Sequence, residues 1–138
     1  HWCKAAIWRD TTRVPFIVVS PGIAEAGLRN NQPISHIDIY PSLCDLAGIP
    51  KPGHLEGRSI LPLLKDPSAT RDFAFLSYGP QNTAAQSERY RYLRYEDGSE
   101  ELYDHHKDPH EWNNLIGDKK YQKQRKKMRA QVLAFQRK

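Results

Sequence analysis

The spacing of apolar and polar positions changes several times along this chain of 138 residues, and each change predicts an element. Residues 1–13 are mixed and read as a loop with a helical turn. Phe16-Ile17-Val18-Val19 is then a short continuous apolar run, closed by Ser20-Pro21-Gly22. A run this short, rich in Val and Ile and stopped by Pro-Gly, predicts a strand over Val14–Ser20 buried on both faces, of the kind found inside α/β sheets. Turn residues Gly27, Asn30, Asn31 and Pro33 mark residues 23–35 as loop. From Ser35 or His36 the period becomes helical. Ile37, Tyr40, Leu43, Cys44, Leu46 and Ala47 form a broad apolar face, Asp38 sits in the first turn, and Gly48 takes the position just past the end. A Pro/Gly loop over residues 49–58 leads to Ser59. This serine reads as the N-cap of a short helix that docks Ile60, Leu61, Leu63 and Leu64 and carries Pro62 in its first turn.

The second half alternates with period two. Strands are predicted over Phe73–Tyr78, Ala84–Ser87, Tyr90–Tyr95 and Glu101–Asp104. A polar Gly79–Thr83 loop lies between the first two, and Asp97-Gly98 is a hairpin signal between the last two. Together they describe a small antiparallel sheet with one aromatic and one charged face. Asp118 then caps a final helix, whose docking stripe is Tyr121, Arg125, Met128, Val132 and Phe135.

Charge changes this picture only locally. The formal net charge is +5, but nine basic residues and no acidic ones follow Asp118, leaving 12 basic against 16 acidic residues up to and including it. The basicity belongs to one terminal helix, usually a solvated face, which can also steer a polyanionic glycan toward the protein. Tyr90, Tyr92 and Tyr95 interleave with arginines, but a strand with one packed and one solvated face explains them without nucleic acid. No apolar stretch approaches the ~20 residues of a membrane helix. Cys3 and Cys44 make no disulfide framework and read as buried or free thiols.

Several polar residues invite chemistry. His106 and His110 have i, i+4 spacing beside His105 and Glu111, but Pro109 between them breaks a regular zinc-binding helix, so a turn after the last strand is the plainer reading. His36 lacks a carboxylate or cysteine partner at ligand spacing and reads as a helix-start residue. Asp10 and Arg13 are either an ion pair or solvated. His54, Glu56 and Arg58 are weak candidates for the mouth of a site. The Gly79-Pro80-Gln81-Asn82 loop joins two strands and carries polar amides, so Gln81 and Asn82 are the candidates for substrate contact in the second half.

The opening stretch resembles the later part of the type I sulfatase family of the alkaline phosphatase superfamily. Trp2, Lys4, Trp8, Asp10, Arg13, Val14, Pro15, Pro21 and Gly22 fall on that pattern. The likeness continues through the helix up to Ile49 and through Leu55-Glu56-Gly57-Arg58-Ser59, which is similar to the family's Leu-x-Gly-x-Ser segment. It ends in Glu101-Leu102-Tyr103-Asp104, Asp108-Pro109 and Glu111-Trp112-Asn113-Asn114-Leu115.

The resemblance implies an α/β fold: the end of a mixed central sheet in residues 1–70, then a subdomain of about four antiparallel strands and a basic helix in residues 71–138. It also implies that Lys4 is catalytic, binding the sulfate ester's oxygens, that His1 lines the pocket, and that Trp2 and Trp8 pack around the lysine stem. A compact ammonium with three donors suits charge developing on a leaving oxygen. The family's formylglycine arises from Cys-x-Pro/Ala-x-Arg, which neither Cys3 nor Cys44 begins. Its divalent metal, usually calcium, takes Asp and Asn or His ligands that are equally missing here.

The implied whole is therefore a sulfuric ester hydrolase acting on a sulfated small molecule or glycan. This chain would be its carboxy-terminal portion, inactive alone and partnered by the missing amino-terminal part. The family's location is periplasmic, lysosomal or secreted. The alternatives are a phosphoric ester hydrolase of the same superfamily, or a non-catalytic module whose basic helix binds polyanionic glycan.

Overall fold

The computed structural model describes residues 5–137. The chain forms two compact units. One joins the segment ending at Pro15 to Phe73–Lys138, and the other is Phe16–Asp72. The segment through Pro15 thus goes with the carboxy-terminal sheet and not with the residues that follow it in sequence.

In the first unit, β1 (Ala74–Tyr78), β2 (Asn82–Gln86), β3 (Tyr90–Arg94) and β4 (Glu100–Asp104) form an antiparallel meander in the order β1-β2-β3-β4. The Asp97-Gly98 hairpin forms as predicted. Gly98 takes φ 83°, open to glycine at no steric cost, and Asp97 Oδ1 accepts from the Ser99 N–H at 2.8 Å. The last helix of this unit, Gln122–Phe135, is entered by a 3-10 turn over Lys119–Tyr121. Asp118 caps the entry, accepting from the Lys120 N–H at 2.9 Å.

Strand side chains alternate between two faces. Tyr92, on the face toward the last helix, packs with Phe73, Ala85, Leu102, Met128 and Val132, while Phe75 stacks on Phe135 at 4.6 Å. Each fully buried apolar side chain of that set contributes ~1.5–3 kcal/mol. The expected charged, solvated face is not observed. Leu93, Ala84 and Tyr103 on that side are covered by Ile7 and Trp8, and Arg91 is only 4% exposed. The amino-terminal segment supplies the cover, so the sheet has two cores. On the last helix, Arg125 and Arg129 both pair with Glu100, leaving Lys119, Lys120, Lys123 and Lys126 exposed.

In the second unit a 3-10 turn, His36–Asp38, runs into Ile39–Ala47, and Gly48 closes this helix in the left-handed region (φ 67°). A short helix follows at Leu61–Lys65, where Ser59 Oγ accepts from the Leu61 N–H at 3.2 Å. The unit is organised on Asp38, which is 1% exposed. Its carboxylate accepts from the N–H groups of Ser35 (2.7 Å) and Arg58 (2.8 Å) and pairs with Arg71 at 2.7 Å. Ser42 Oγ donates to the Asp38 carbonyl and accepts from the Ile60 N–H. Gly57 lies so close that a Cβ there would sit 1.9 Å from the Ile37 carbonyl oxygen. The glycine of Leu-x-Gly-x-Ser is therefore a close-approach residue that lets the loop reach Asp38.

Two expectations fail here. Val14–Ser20 forms no regular element and pairs with no strand among the described residues, and Ile17 and Val19 are 86% and 85% exposed. A segment becomes a strand only when a neighbour takes its hydrogen bonds, and none does so among the described residues. The helix face predicted to be buried is likewise turned outward in part. Ile37, Tyr40 and Leu43 are more than half exposed, whereas Cys44 of that face is buried, as are Pro41 and Ser42. Asp10 and Arg13 are exposed and make no ion pair with each other.

Burial alone pushes the Asp38 carboxyl up, but the Arg71 pair and the Arg58 and Ser35 donors outweigh it and hold it below its ordinary value. A lowered folded-state value means that its contribution to stability is complete above the unfolded carboxylate range (~3.9) and is lost as pH falls through the folded value. Asp38→Asn should remove that part of the acid limb and leave Arg71 buried without its counter-charge, costing ~3–5 kcal/mol. Urea unfolding across pH 2–7 measures both. An unchanged acid limb would show that Asp38 does not carry it.

Candidate active-site cleft

The stretch following Lys4 is held to the sheet by buried charge. Arg91 reaches out of β3 to the amino-terminal segment. Its Nε donates to the Ile7 carbonyl at 3.1 Å, Nη2 donates to the same carbonyl and to Thr12 Oγ1 (3.1 Å), and Nη1 donates to Gln86 Oε1 at 3.0 Å. Glu111 lies 3.7 Å from Arg91 Nε. Its Oε2 accepts from the Arg9 N–H at 2.8 Å, and Oε1 accepts from His105 Nε2 at 2.7 Å. Gln86 donates its amide to His105 Nδ1 (3.3 Å), which assigns the proton on Nε2 to the bond with Glu111. Glu111 has φ 59°, an uncommon conformation for a residue with a Cβ, and the burial of its carboxylate between two donors and the Arg91 guanidinium holds it there. A single helical turn, Arg9–Thr12, completes the segment.

Beside this anchor, Ala5, Ala6, Ile7 and Trp8 form one wall of a cleft of about 610 Å³. Tyr78, Asn82, Tyr95, Glu96, Asp97, Ser99 and Glu101 line the remainder. Trp8 Nε1 donates to Glu101 Oε2 at 2.7 Å, and the Tyr103 hydroxyl donates to the same oxygen at 2.9 Å. Asn82 Oδ1 accepts from the Glu96 N–H at 3.1 Å. Burial, then the charge of Glu101, raises Tyr95. Burial, then the hydrogen bond to Glu101, raises Tyr103. Both tyrosines therefore stay protonated and act as donors. Hydrogen bonds from Ser99 hold Asp97 below its ordinary value, so it stays ionised. The cleft thus offers aromatic surface, one amide and fixed carboxylates, with the Ser99 hydroxyl donating to Asp97 Oδ1 at 2.6 Å.

Of the predicted site residues, Asn82 lines the cleft. Gln81, next to it in the β1–β2 turn, is not among the lining residues; its backbone carbonyl accepts from Gln136 Nε2 at 2.8 Å. Lys4 and His1, with Trp2 and Cys3, lie outside the described residues. Trp8 packs against the sheet and its indole N–H is taken by Glu101, a partner the sequence did not suggest. His54, Glu56 and Arg58 are exposed on the loop of the second unit. His105 is the Glu111 partner, while His110 stacks on Trp112 at 5.1 Å. Among the described residues no three His, Cys, Asp or Glu side chains gather in a way that could hold a metal ion. Cys44 is buried in a helix and runs into Asp45-Leu46-Ala47-Gly48, so it does not fit a formylglycine position either. Among the described residues no helix is long and apolar enough to cross a membrane.

The closing motif is structural. Asp104 is fully buried and takes a two-pronged bond from Arg89 (2.8 and 2.6 Å). Asp108 accepts from the Asn113 N–H at 2.7 Å. Asn114 Oδ1 accepts from the N–H groups of Leu102 and Ile116. These bonds bring Glu111 back under Arg91.

The family model described as "N-sulphoglucosamine sulphohydrolase, C-terminal" matches residues 1–138. A sulfatase of Formosa agariphila is 31% identical over 94% of this chain and 25% of its own length. The Delta 4,5-hexuronate-2-O-sulfatase of Bacteroides thetaiotaomicron is 34% identical over 86% of this chain and 27% of its own. The crystal structure of the phosphonate monoester hydrolase of Agrobacterium radiobacter superposes with a TM-score of 0.55 at 28% identity, covering 71% or less of either chain: 70% of this one and 23% of that one. The chain spans about a quarter of the length of the curated relatives it matches. With the model matched from end to end and relatives above 30% identity along most of its length, the chain belongs to the sulfatase family, as the carboxy-terminal portion of its alkaline-phosphatase-like fold.

Proposed function

We propose that this chain is the substrate-side portion of a formylglycine-dependent sulfatase that hydrolyses a sulfate ester on a sugar. Lys4 would contact the ester's oxygens, and the cleft would border the reacting group. The observation that carries this reading is the buried anchor. Arg91, Glu111 and Glu101 are spent on the backbone and side chains of Ile7, Arg9 and Trp8, the stretch that follows the Trp-x-Lys pattern. Buried charges of this sort stabilise little over an apolar replacement, but they specify position, and position is what a catalytic lysine requires. The nucleophile and the divalent metal, calcium in this reading, would come from sequence outside these 138 residues, since the described residues fit neither. The related 2-O-sulfatase supports a sulfated uronic-acid-containing glycan as one substrate class.

A phosphoric or phosphonic ester reading is favoured by one observation, the likeness to a phosphonate monoester hydrolase. The full-length enzyme, produced where formylglycine is formed, should hydrolyse 4-nitrophenyl sulfate faster than 4-nitrophenyl phenylphosphonate. The reverse order would assign it to the phosphorus side of the superfamily. The binding-only alternative rests on the exposed lysines of the last helix, and solvated surface lysines are ordinary.

A further inference from the structure

We propose that the cleft between the Ala5–Trp8 wall and the β1–β2 and β3–β4 turns is the subsite for the leaving alcohol, and that it selects a sugar unit without further sulfates over one that carries them. This rests on the Lys4 reading, because the peptide bond from Lys4 leads directly into Ala5, the first described residue of the wall. If Lys4 meets the bridging oxygen, the group on the far side of that oxygen enters this cleft.

Its size and chemistry suit a sugar. A volume of about 610 Å³ lies within the range of small-ligand sites. Trp8, Tyr78 and Tyr95 present ring surface, and Tyr78, at the end of β1, is 52% exposed. Ring faces of this kind pack against the apolar C–H face of a pyranose, while Tyr and Trp keep a polar tip for hydroxyl groups. Asn82 has its Oδ1 fixed by the Glu96 N–H, which orients the amide and directs its remaining Nδ2 donors elsewhere.

The charge pattern sets the selectivity. Glu96, Asp97 and Glu101 are the charged residues among the described lining, and no Lys, Arg or His joins them. Glu101 is pinned by Trp8 and Tyr103, and Asp97 by Ser99, so neither carboxylate can swing away. A cleft with low-dielectric walls focuses this negative field. A second or third sulfate on the leaving unit would be held beside like charge, which is discrimination by repulsion. The exposed lysines lie on the last helix and its lead-in turn and contribute nothing to this lining.

The test uses the full-length enzyme, a monosulfated disaccharide, and the same disaccharide with one and two further sulfates on the leaving unit. kcat/KM should fall about tenfold per added sulfate at low salt, and the gap should narrow as ionic strength rises toward about 0.5 M, where screening shortens to a few ångströms. Glu96→Lys, on an exposed turn, should narrow or reverse the ratio, with Glu96→Gln intermediate. Tyr78→Ala should raise KM for the monosulfated disaccharide with little change in kcat. Equal turnover of all three sugars by wild type, or a ratio unmoved by Glu96→Lys, overturns the subsite while leaving the sulfatase assignment intact. Wild-type rates in Lys4→Ala would instead remove the lysine reading, and the subsite with it.

Discussion

Lys4→Ala in the full-length enzyme should lower kcat/KM for a sulfate ester by about 10²–10³, with most of the loss in kcat, because one preorganised donor to a developing oxyanion is worth that much. The ammonium would help little while the sulfate is bound as substrate, since the ester oxygen then carries little charge. Its contribution would grow as the S–O bond lengthens and charge collects on the leaving oxygen, which is differential binding of the transition state. Lys4→Arg should recover only a small part, because a planar guanidinium is larger and presents its donors in a fixed fork. Neither variant should change the melting temperature, since both leave in place the described anchoring contacts of Ile7, Trp8, Arg9 and Thr12. Steady-state kinetics and a thermal melt on the same preparations decide the matter. A loss confined to KM would reassign Lys4 to ground-state binding, and wild-type kinetics would remove it from the site.

Local signals were legible wherever local physics decides the outcome. The four strands, the Asp97-Gly98 turn, the Gly48 stop and the stripe of the last helix all follow from period and turn chemistry, and all are observed. Failures came where a segment's partner decides. Val14–Ser20 has the composition of a buried strand, but a strand exists only with a neighbour to pair with. Ile37, Tyr40 and Leu43 have the spacing of a buried face but meet no cover among the described residues. The charged side of the sheet misled for the opposite reason. Arg91 alternates in register with Leu93, so period two put it on a face, but it could not tell that Ile7, 84 positions before Arg91, would cover that face together with Trp8. Asn82 lines the cleft and Gln81 does not, a difference that their shared polar stretch in the sequence does not carry. Glu101 and Glu111 lay inside the family's closing motif, yet their partners, Trp8 and the Arg9 N–H, are visible only in three dimensions.

Arg91→Met is expected to be the most damaging single change in the first unit, costing ~3–5 kcal/mol. Methionine keeps most of the arginine stem's volume, so the loss reports charge and hydrogen bonding more than a cavity. Burial pulls the Arg91 guanidinium below its ordinary value against the pull of Glu111, so the charge is tolerated only while its partners are in place. Without it, the Ile7 carbonyl loses two donors and Thr12 and Gln86 lose one each. Glu111 keeps His105 and the Arg9 N–H but loses its cationic neighbour and stays buried at a positive φ. Glu111→Gln in the Arg91→Met background should therefore cost much less than in wild type, because the second variant removes the charge that the first left uncompensated. A double-mutant cycle should give a coupling of about 1–3 kcal/mol, the size seen for residues sharing one network. The same cycle on kcat separates anchoring from mere stability. At a temperature where the single variants remain folded, both should lose turnover in proportion to each other, since releasing Ile7 and Arg9 frees the stretch that carries Lys4. Additive unfolding energies with unchanged turnover would mean that the Arg91–Glu111 network holds the sheet's cover but plays no part in positioning the lysine.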